Sequence, residues 1–450
     1  MKVFIAPWGA PKEWKEITYQ YDGDTRKSKS DLPLIKAKEN PDKIFIIVSD
    51  TLIDLDSVFN SISKDSSYSD LKQKVKDYIT NDFCKEKLGV LPDDVIVSYG
   101  FGEFKNVKFS GNAMDFYYGV LKELSFKFSQ LLKGVGNEEK IEVIFDATHG
   151  INYTTLLSYR ALKDILEILA YGFDVKMKVL NADPYVSGLE EKGIFNINVI
   201  EDTKILPRIL VYNDSREPIR LFKGIKEDSF KEKLGKEISD FFNSIFSDGY
   251  SEYRRKVMIF LGSLLFALPV FLIRYMIASG ELYKEMKEIS QKFEEKISVS
   301  TDGKFEIRRV VQFSESFANF VKAFLVSSVL EKLGFECMEE VPLTVIKELK
   351  KKIFDGKFQV ESNRIDVEID KIEDLPKNGH LLYENYRAYY SIVDKDYKAN
   401  PEPDKRNFFA HAGFEKNAIS LCKRDDIYIR IMEDNRKRSE NLIIDDIPKI

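Results

Sequence analysis

Histidine, cysteine and tryptophan are scarce in this chain, whose 450 residues hold three, three and two of them. Cys84, Cys337 and Cys422 lie far apart, with no C-x-x-C pair and no neighbouring histidine, so neither a structural metal site nor a disulfide framework is expected. A global cationic field is missing as well. Lysine and arginine number 69 against 74 aspartates and glutamates, a net charge of -5, so bulk charge cannot hold a long nucleic acid and any RNA contact has to be local. No G-x-G-x-x-G and no G-x-x-x-x-G-K-[ST] occurs, which argues against a standard dinucleotide site and a P-loop. No signal peptide precedes the strand-like start Met1 to Pro7, and a cytoplasmic protein is expected. One uncharged run, Val257 to Ile273, is seventeen residues long, at the short limit of a membrane span. It contains Gly262 and Pro269, and no second run matches it. A helix buried on all sides, in part against a second subunit, is the expectation, with no membrane partner.

What is present divides the chain in two. With 44% hydrophobic residues it has the material for two or three cored domains. Short apolar runs at Val3 to Ala6, Lys43 to Val48, Val95 to Tyr99, Ile141 to Asp146 and Val175 to Leu180 read as strands. Amphipathic stretches at Leu71 to Leu88, Ala113 to Leu132 and Tyr153 to Tyr171 read as the helices between them, the order of a parallel sheet covered by helices. Ile194 to Ile200 and Ile205 to Tyr212 read as edge strands. The fold class expected is α/β plus mainly α. Residues 1–212 form a Rossmann-like domain, 213–240 a connector, and 241–450 a helical domain with a small β-containing insertion around 281–372. Helices are predicted at Phe230 to Phe246, Glu252 to Ser279, Phe313 to Leu333, Tyr383 to Val393 and Asn407 to Cys422. Thr301-Asp302-Gly303-Lys304 marks a hairpin within Lys296 to Val311. Phe358 to Ile369 reads as a second small strand pair, and Asp366 to Glu373 as a solvated acidic strand face.

In an open α/β sheet, ligands bind beyond the carboxyl ends of the strands. Small and amide-bearing residues collect there: Gly9, Ser49, Thr51, Gly100, Asn112, and the string Asp146-Ala147-Thr148-His149-Gly150-Ile151-Asn152-Tyr153. A glycine at such a turn admits close backbone approach, and the following helix start offers free amides to phosphate or ribose oxygens. The same string also fits a tight turn in which Thr148 or Asn152 only caps a helix. Trp8 fits a base-stacking role and a core role equally.

The second constellation is Arg406-Asn407-Phe408-Phe409-Ala410-His411, preceded by Pro401-Glu402-Pro403-Asp404 with Asp404 as helix N-cap. Histidine titrates near neutrality, and arginine is a permanent cation whose fork fits phosphate. Five residues along a helix turn about 140° net and rise about 7.5 Å, so Arg406 and His411 do not share a face. Two such helices meeting across a two-fold axis would surround one phosphate with both pairs, and a homodimer is expected. Taken alone, the pattern also fits a solvated arginine and a packed histidine. His380 reads as a loop residue.

The R-x-x-x-x-H pattern resembles the signature of HEPN ribonucleases, and the D-x-T-H-G-x-N string resembles a segment of CARF domains. Together, over essentially the whole chain, they resemble the CARF-HEPN ribonucleases of the Csx family in type III CRISPR systems. The resemblance implies antiviral defence in which a cyclic oligoadenylate, commonly cyclic tetra-adenylate, binds the CARF pair as allosteric activator and the HEPN pair cuts single-stranded RNA. It implies no cofactor and no metal. It makes Arg406 and His411 catalytic, with Asn407 orienting phosphate or imidazole. It places Thr148, His149, Gly150 and Asn152 in the ligand pocket, with Gly9, Ser49, Thr51, Gly100 and Asn112 added from their strand-end positions. His149 also fits a role in cleaving the bound ring. The alternative is a non-catalytic CARF sensor acting through its helical domain. Assembly of dimers into a higher oligomer stays open.

Overall fold

Apolar runs too continuous to alternate with polar residues belong in strands buried on both faces. The computed structural model describes residues 1–63, 66–136, 140–185, 193–213, 222–224, 250–300, 304–309, 311–380, 382–394 and 402–449. In it the five predicted runs are parallel neighbours. Strands β1 (Lys2–Trp8), β2 (Ile17–Tyr21), β3 (Asp24–Ser28), β4 (Lys43–Ser49), β5 (Asp94–Ser98), β6 (Lys140–Asp146), β7 (Asp174–Ala182) and β8 (Ile194–Lys204) make one sheet. Its order is β3-β2-β8-β7-β6-β1-β4-β5. From β5 to β7 all pairs are parallel, while β8 returns antiparallel to β7. The order reverses at β1, which opens a crevice between the ends of β1 and β6. Across it, the Gly9 N–H donates to the His149 carbonyl at 2.9 Å.

Two parts of this half differ from the sequence reading. The hairpin β2–β3, on the edge beyond β8, was not predicted; its two-residue loop is Asp22-Gly23, with φ of 49° and 80° as a tight hairpin turn requires. Ile205 to Tyr212 is extended but forms no strand. The Ile205 N–H reaches the Val175 carbonyl at 2.8 Å, and two residues on Pro207 offers no donor.

Helices α1 (Leu32–Glu39), α2 (Tyr68–Asp77), α3 (Ala113–Leu132) and α4 (Asn152–Leu169) accompany the sheet, and α2 continues as a wider-wound turn to Leu88. The uncharged run lies in α5 (Tyr250–Leu265) and α6 (Pro269–Arg274), two helices where one was predicted. They separate ahead of Pro269, which cannot donate within a helix. Val257 to Leu261 and Pro269 to Ile273 are buried within the same chain, and among the described residues no helix is long and apolar enough to cross a membrane. Helix α7 (Ser279–Glu295) leads to the predicted hairpin, Ser298–Ser300 against Phe305–Arg308, with Thr301, Asp302 and Gly303 outside the described residues. The strand Phe305–Arg308 pairs in parallel with Val107–Ser110 of the first half. Helix α8 (Glu315–Lys332) is buried nearly all round and packs on α3. The predicted helix Phe230 to Phe246 lies outside the described residues.

Three expectations for the C-terminal part are corrected. Phe358 to Ile369 is no strand pair but lies largely in helix α9 (Gln359–Glu373), which buries Ser362, Ile365, Glu368, Ile369 and Ile372 on one stripe, a 3.6-residue period. The acidic run is therefore a helix whose Glu368 points inward. Asn407 to Cys422 is not one helix. Helix α10 (Lys405–Ala410) stops at Ala412 and Gly413, with φ of 48° and 79°, and a strand follows at Ile419–Lys423, paired with Ile427–Ile431. Tyr383 to Val393 holds only a short strand, Arg387–Ala388, and the helix Tyr389–Val393. Helix α11 (Glu433–Asp446) closes the chain.

One buried ion pair joins the halves. The fully buried guanidinium of Arg309, just after the hairpin, donates to Asp50 and to the Gly100 carbonyl at the ends of β4 and β5. Asp50 also accepts from Tyr68 Oη at 2.7 Å and the Gly100 N–H at 2.6 Å. Nearby, Asp115 on α3 accepts the Phe313 N–H at 2.8 Å, and burial pushes its carboxyl up to about 7. Removing one partner of a buried pair strands the other charge. Arg309→Met is expected to cost about 3–5 kcal/mol in urea unfolding. Asp115 holds its proton more tightly folded than unfolded, so its contribution is full below about pH 4 and is lost as pH rises through about 7. Asp115→Asn is expected to flatten the decline of unfolding free energy over that window.

Candidate functional site

The crevice at β1 and β6 leads to a cavity of 550 Å³ lined by Trp14, Lys15, Tyr19, Lys29, Thr148, His149, Asn181 and Tyr185 among others. His149 is its fixed wall. Its ring stacks on Trp14 at 3.9 Å between centroids, and its Nε2 lies 3.3 Å from Tyr19 Oη and 3.4 Å from Asp31 Oδ1. Asp31, at the start of α1, and Asp146, at the end of β6, are both fully buried. Two adjacent buried carboxyls cannot both ionise. Burial, reinforced by the Asp31 charge, pushes Asp146 well above the usual carboxylate range. Burial opposes ionisation of Asp31 too, but the His149 ring and hydrogen bonds from Thr148 and Asp146 hold it below that range. Asp146 therefore keeps the proton. Its Oδ1 accepts the Thr148 N–H at 3.0 Å, and Thr148 Oγ1 accepts the Ala182 N–H at 3.0 Å.

The other predicted ligand residues are divided. Gly150 and Asn152 stand beside the cavity wall at the start of α4, and a Cβ on Gly150 would fall 1.9 Å from Thr155 Oγ1, so a side chain there would have to displace Thr155. Gly9 packs against Ile151. Ser49, Thr51, Gly100 and Asn112 do not line the cavity. Ser49 Oγ accepts the Thr51 N–H at 3.2 Å, and Asn112 caps α3 through the Met114 N–H at 2.8 Å. Gly100 belongs to the Arg309 cluster. Trp8 is core, edge-on to Trp14 and Phe83. The sequence reading missed Trp14, Tyr19 and Asp31; only the Asp22-Gly23 turn pointed to the hairpin that carries Tyr19.

The second constellation sits on α10. Asp404 caps the helix as expected, accepting the Asn407 N–H at 2.9 Å. Phe408 is fully buried and packs on Phe271 at 5.2 Å, which leaves Arg406 and Asn407 on the exposed side. His411 lies just past the helix, 38% exposed, and its Nδ1 is 2.9 Å from Oε1 of Glu368, which is 5% exposed. Lys371 Nζ donates to the same oxygen at 2.7 Å. Arg364, one turn earlier on α9, donates to the Phe409 carbonyl at 2.8 Å and the Phe266 carbonyl at 2.6 Å, fixing α10 against the end of α5. Behind His411, Glu415 is buried and its carboxyl is pushed up by that burial. A carboxylate on Nδ1 selects the imidazole tautomer and leaves Nε2 for a substrate proton. Sequence reading missed Glu368; the signal was its place on the Ser362, Ile365, Ile369 stripe. His380, by contrast, uses Nδ1 on the Ile392 carbonyl at 2.9 Å.

Comparison with known proteins covers both constellations. Residues 3–184 match the family model described as CRISPR system endoribonuclease Csx1, CARF domain, and residues 358–434 match its HEPN domain. CRISPR system endoribonuclease Csx1 of Methanocaldococcus jannaschii is 32% identical over 97% of this chain and 88% of its own length. A solved structure, Enterococcus italicus Csm6 bound to cyclic hexa-2'-fluoro-hexa-dAMP, aligns over 93% of this chain and 92% of that one at 10% identity and a TM-score of 0.24, too low to support any argument.

Glu368→Gln keeps the side-chain shape and removes its charge. Turnover of the RNA substrate is expected to fall by about one to two orders of magnitude, less than the roughly 10²–10⁴ carried by a full acid–base group. Glu368 is buried and contacts His411, so a positioning role predicts the loss in kcat with KM unchanged; an equal rise in KM would remove that role.

Proposed function

Because this chain belongs to the Csx1 family of CRISPR system endoribonucleases, with a CARF domain ahead of a HEPN domain, we propose that it is a cytoplasmic, metal-independent ribonuclease that cuts single-stranded RNA when a cyclic oligoadenylate binds its CARF domain. The observation that carries the reading is the Glu368–His411 pair, with Arg406 and Asn407 exposed on the adjoining turn of α10. RNA supplies its own nucleophile, the 2′-OH, so cleavage needs alignment, proton transfer and charge neutralisation. His411, oriented through Nδ1, moves the proton at Nε2. Arg406 neutralises the charge that grows on the phosphate. Asn407 orients the phosphate. The products are a 2′,3′-cyclic phosphate and a 5′-hydroxyl end.

One copy presents half of this site, and a homodimer completes it. Val360 and Val367, on one stripe of the helix that carries Glu368, are 75% and 51% exposed. Such apolar side chains beside a half-site favour burial against a second copy. In the CARF domain, the cavity walled by Trp14, His149 and Tyr185 supports the binding of a base, while Thr148, Gly150 and Asn152 shape the turn beside it. Cyclic tetra-adenylate is the ring to test first. A ring that contacts both halves of a dimer biases their arrangement by its difference in affinity for the two states.

The test is cleavage of a labelled single-stranded RNA in EDTA, with and without cyclic tetra-adenylate, by wild type and by His411→Ala. Expected is ligand-stimulated, chelator-resistant cutting that falls by at least about 10²-fold in the variant. A well-folded wild type that cuts nothing with any ring size would leave a non-catalytic ligand sensor instead.

A further inference from the structure

A chain of net charge -5 needs a local cationic surface to hold RNA, and one is built into the helical half. A cavity of 1010 Å³ opens between α5, the end of α6 and α11. Six of its lining side chains are cations, Arg254, Arg255, Lys256, Arg274, Arg436 and Lys437, against three glutamates. A smaller cavity of 160 Å³ shares Arg274 and Arg436 and adds Arg430. The arginines are largely paired, Arg274 with Glu339 and Arg436 with Glu433 as well as Glu440, so the uncompensated charge is that of the lysines. Arg255 and Arg436 converge on the single carboxylate of Glu440, at 2.9 Å and 3.1 Å, and Tyr275 donates to it too. Lys256 and Lys437 make no ion pair among the described residues.

Its position relates it to α10. Helices α5 and α11 run side by side in the same direction. Arg255 meets Glu440 and Asn441, and one helical stretch later Gly262 approaches Ile443 and Ile447 so closely that a Cβ would lie 2.6 Å from the former. Both helices end at the HEPN constellation. Phe266, just past α5, packs on Phe409 at 5.0 Å, and Asp446 at the end of α11 pairs with Lys405. From Lys256 to Phe266 the helix rise is about 15 Å, and from Lys437 to Asp446 about 14 Å, a reach of a few nucleotides. Cations spread along two helices and over two adjoining cavities suit a chain of phosphates rather than one compact anion.

We infer that this cavity docks the single-stranded RNA flanking the scissile phosphate, holding its backbone a few nucleotides from Arg406 and His411. The inference rests on the RNA-cleaving reading above but is tested by binding, which can stand or fall separately. A fluorescent, uncleavable 2′-O-methyl single-stranded oligonucleotide is titrated by anisotropy over a range of salt concentrations. The full-length wild type is compared with Lys256→Glu/Lys437→Glu and with a charge-matched control, Lys85→Glu/Lys133→Glu, on exposed lysines of the first half. A milder Lys256→Gln/Lys437→Gln pair guards against loss of fold. Expected is roughly tenfold weaker binding for the Glu pair, with a salt slope shallower by about 1.4, since each single-strand phosphate contact contributes about 0.7. The control is expected to keep the wild-type slope. Binding by the Lys256/Lys437 variants equal to the control, or no binding by wild type, overturns the docking site. Binding lost in the variants while wild type cuts no RNA would uphold the docking site and remove the cleavage reading.

Discussion

The Arg309–Asp50 ion pair is the constraint around which the two halves are arranged. Both side chains are wholly buried, and a buried charge is tolerated only when its partner and hydrogen bonds are complete. Asp50 meets that demand with Arg309, Tyr68 and the Gly100 amide; Arg309 adds the Gly100 carbonyl and lies within 6 Å of the Tyr68 and Tyr99 rings, while its Nε has no hydrogen-bond partner among the described residues. Strand ends that would be open in an isolated α/β domain are thus filled by a side chain from the second half. Ser49, Thr51 and Gly100 surround that plug, and the cavity lies instead on the β6 and β7 side, walled by the β2–β3 hairpin.

Both constellations put a buried carboxylate behind a histidine, with opposite consequences. Asp31 approaches Nε2 of His149 while Trp14 stacks on the ring face, so the side chain is a wall, held from two directions. Glu368 approaches Nδ1 of His411 and leaves the ring more than a third exposed. The first histidine is held as a cavity wall, and the second presents a partly exposed ring. Of the three histidines, His380 also spends Nδ1, on the Ile392 carbonyl, and His411 is the one whose Nδ1 faces a carboxylate.

Legibility in the sequence followed the strength of periodicity and the locality of the determining contacts. The five central strands and helices α3 and α4 lie where their apolar patterns place them, because each pattern reports burial of its own segment. Helix α9 was misread because charged residues mask its Ile365, Ile369, Ile372 stripe and because Glu368 is buried for the sake of His411, more than forty positions away. The helix predicted from Asn407 to Cys422 failed at Ala412, a non-glycine in left-handed conformation that composition does not announce. Asp31 was invisible for a similar reason. In the string Ser30-Asp31-Leu32-Pro33 it reads as a helix start, and only the fold brings it to Asp146 and His149.

The joint between the halves also bears on how a ligand signal travels. The hairpin strand Phe305–Arg308 is hydrogen-bonded to Val107–Ser110, Arg309 is locked into the β4 and β5 loops, and Phe313 is bonded to Asp115 on α3. Glu294 at the end of α7 accepts from Lys72 at 2.7 Å and Tyr99 at 2.9 Å. These contacts grip both sides of the segment that connects α7 to α8. Sliding that segment against the sheet would break a buried ion pair, at a cost of several kcal/mol, comparable to a whole domain's net stability. The strand ends and the helices α7 and α8 therefore move as one body. On the function proposed above, a rearrangement imposed by a ligand is a rotation of such bodies about a softer contact, and the exposed Val360 and Val367 of α9 mark the surface on which a second copy would be met.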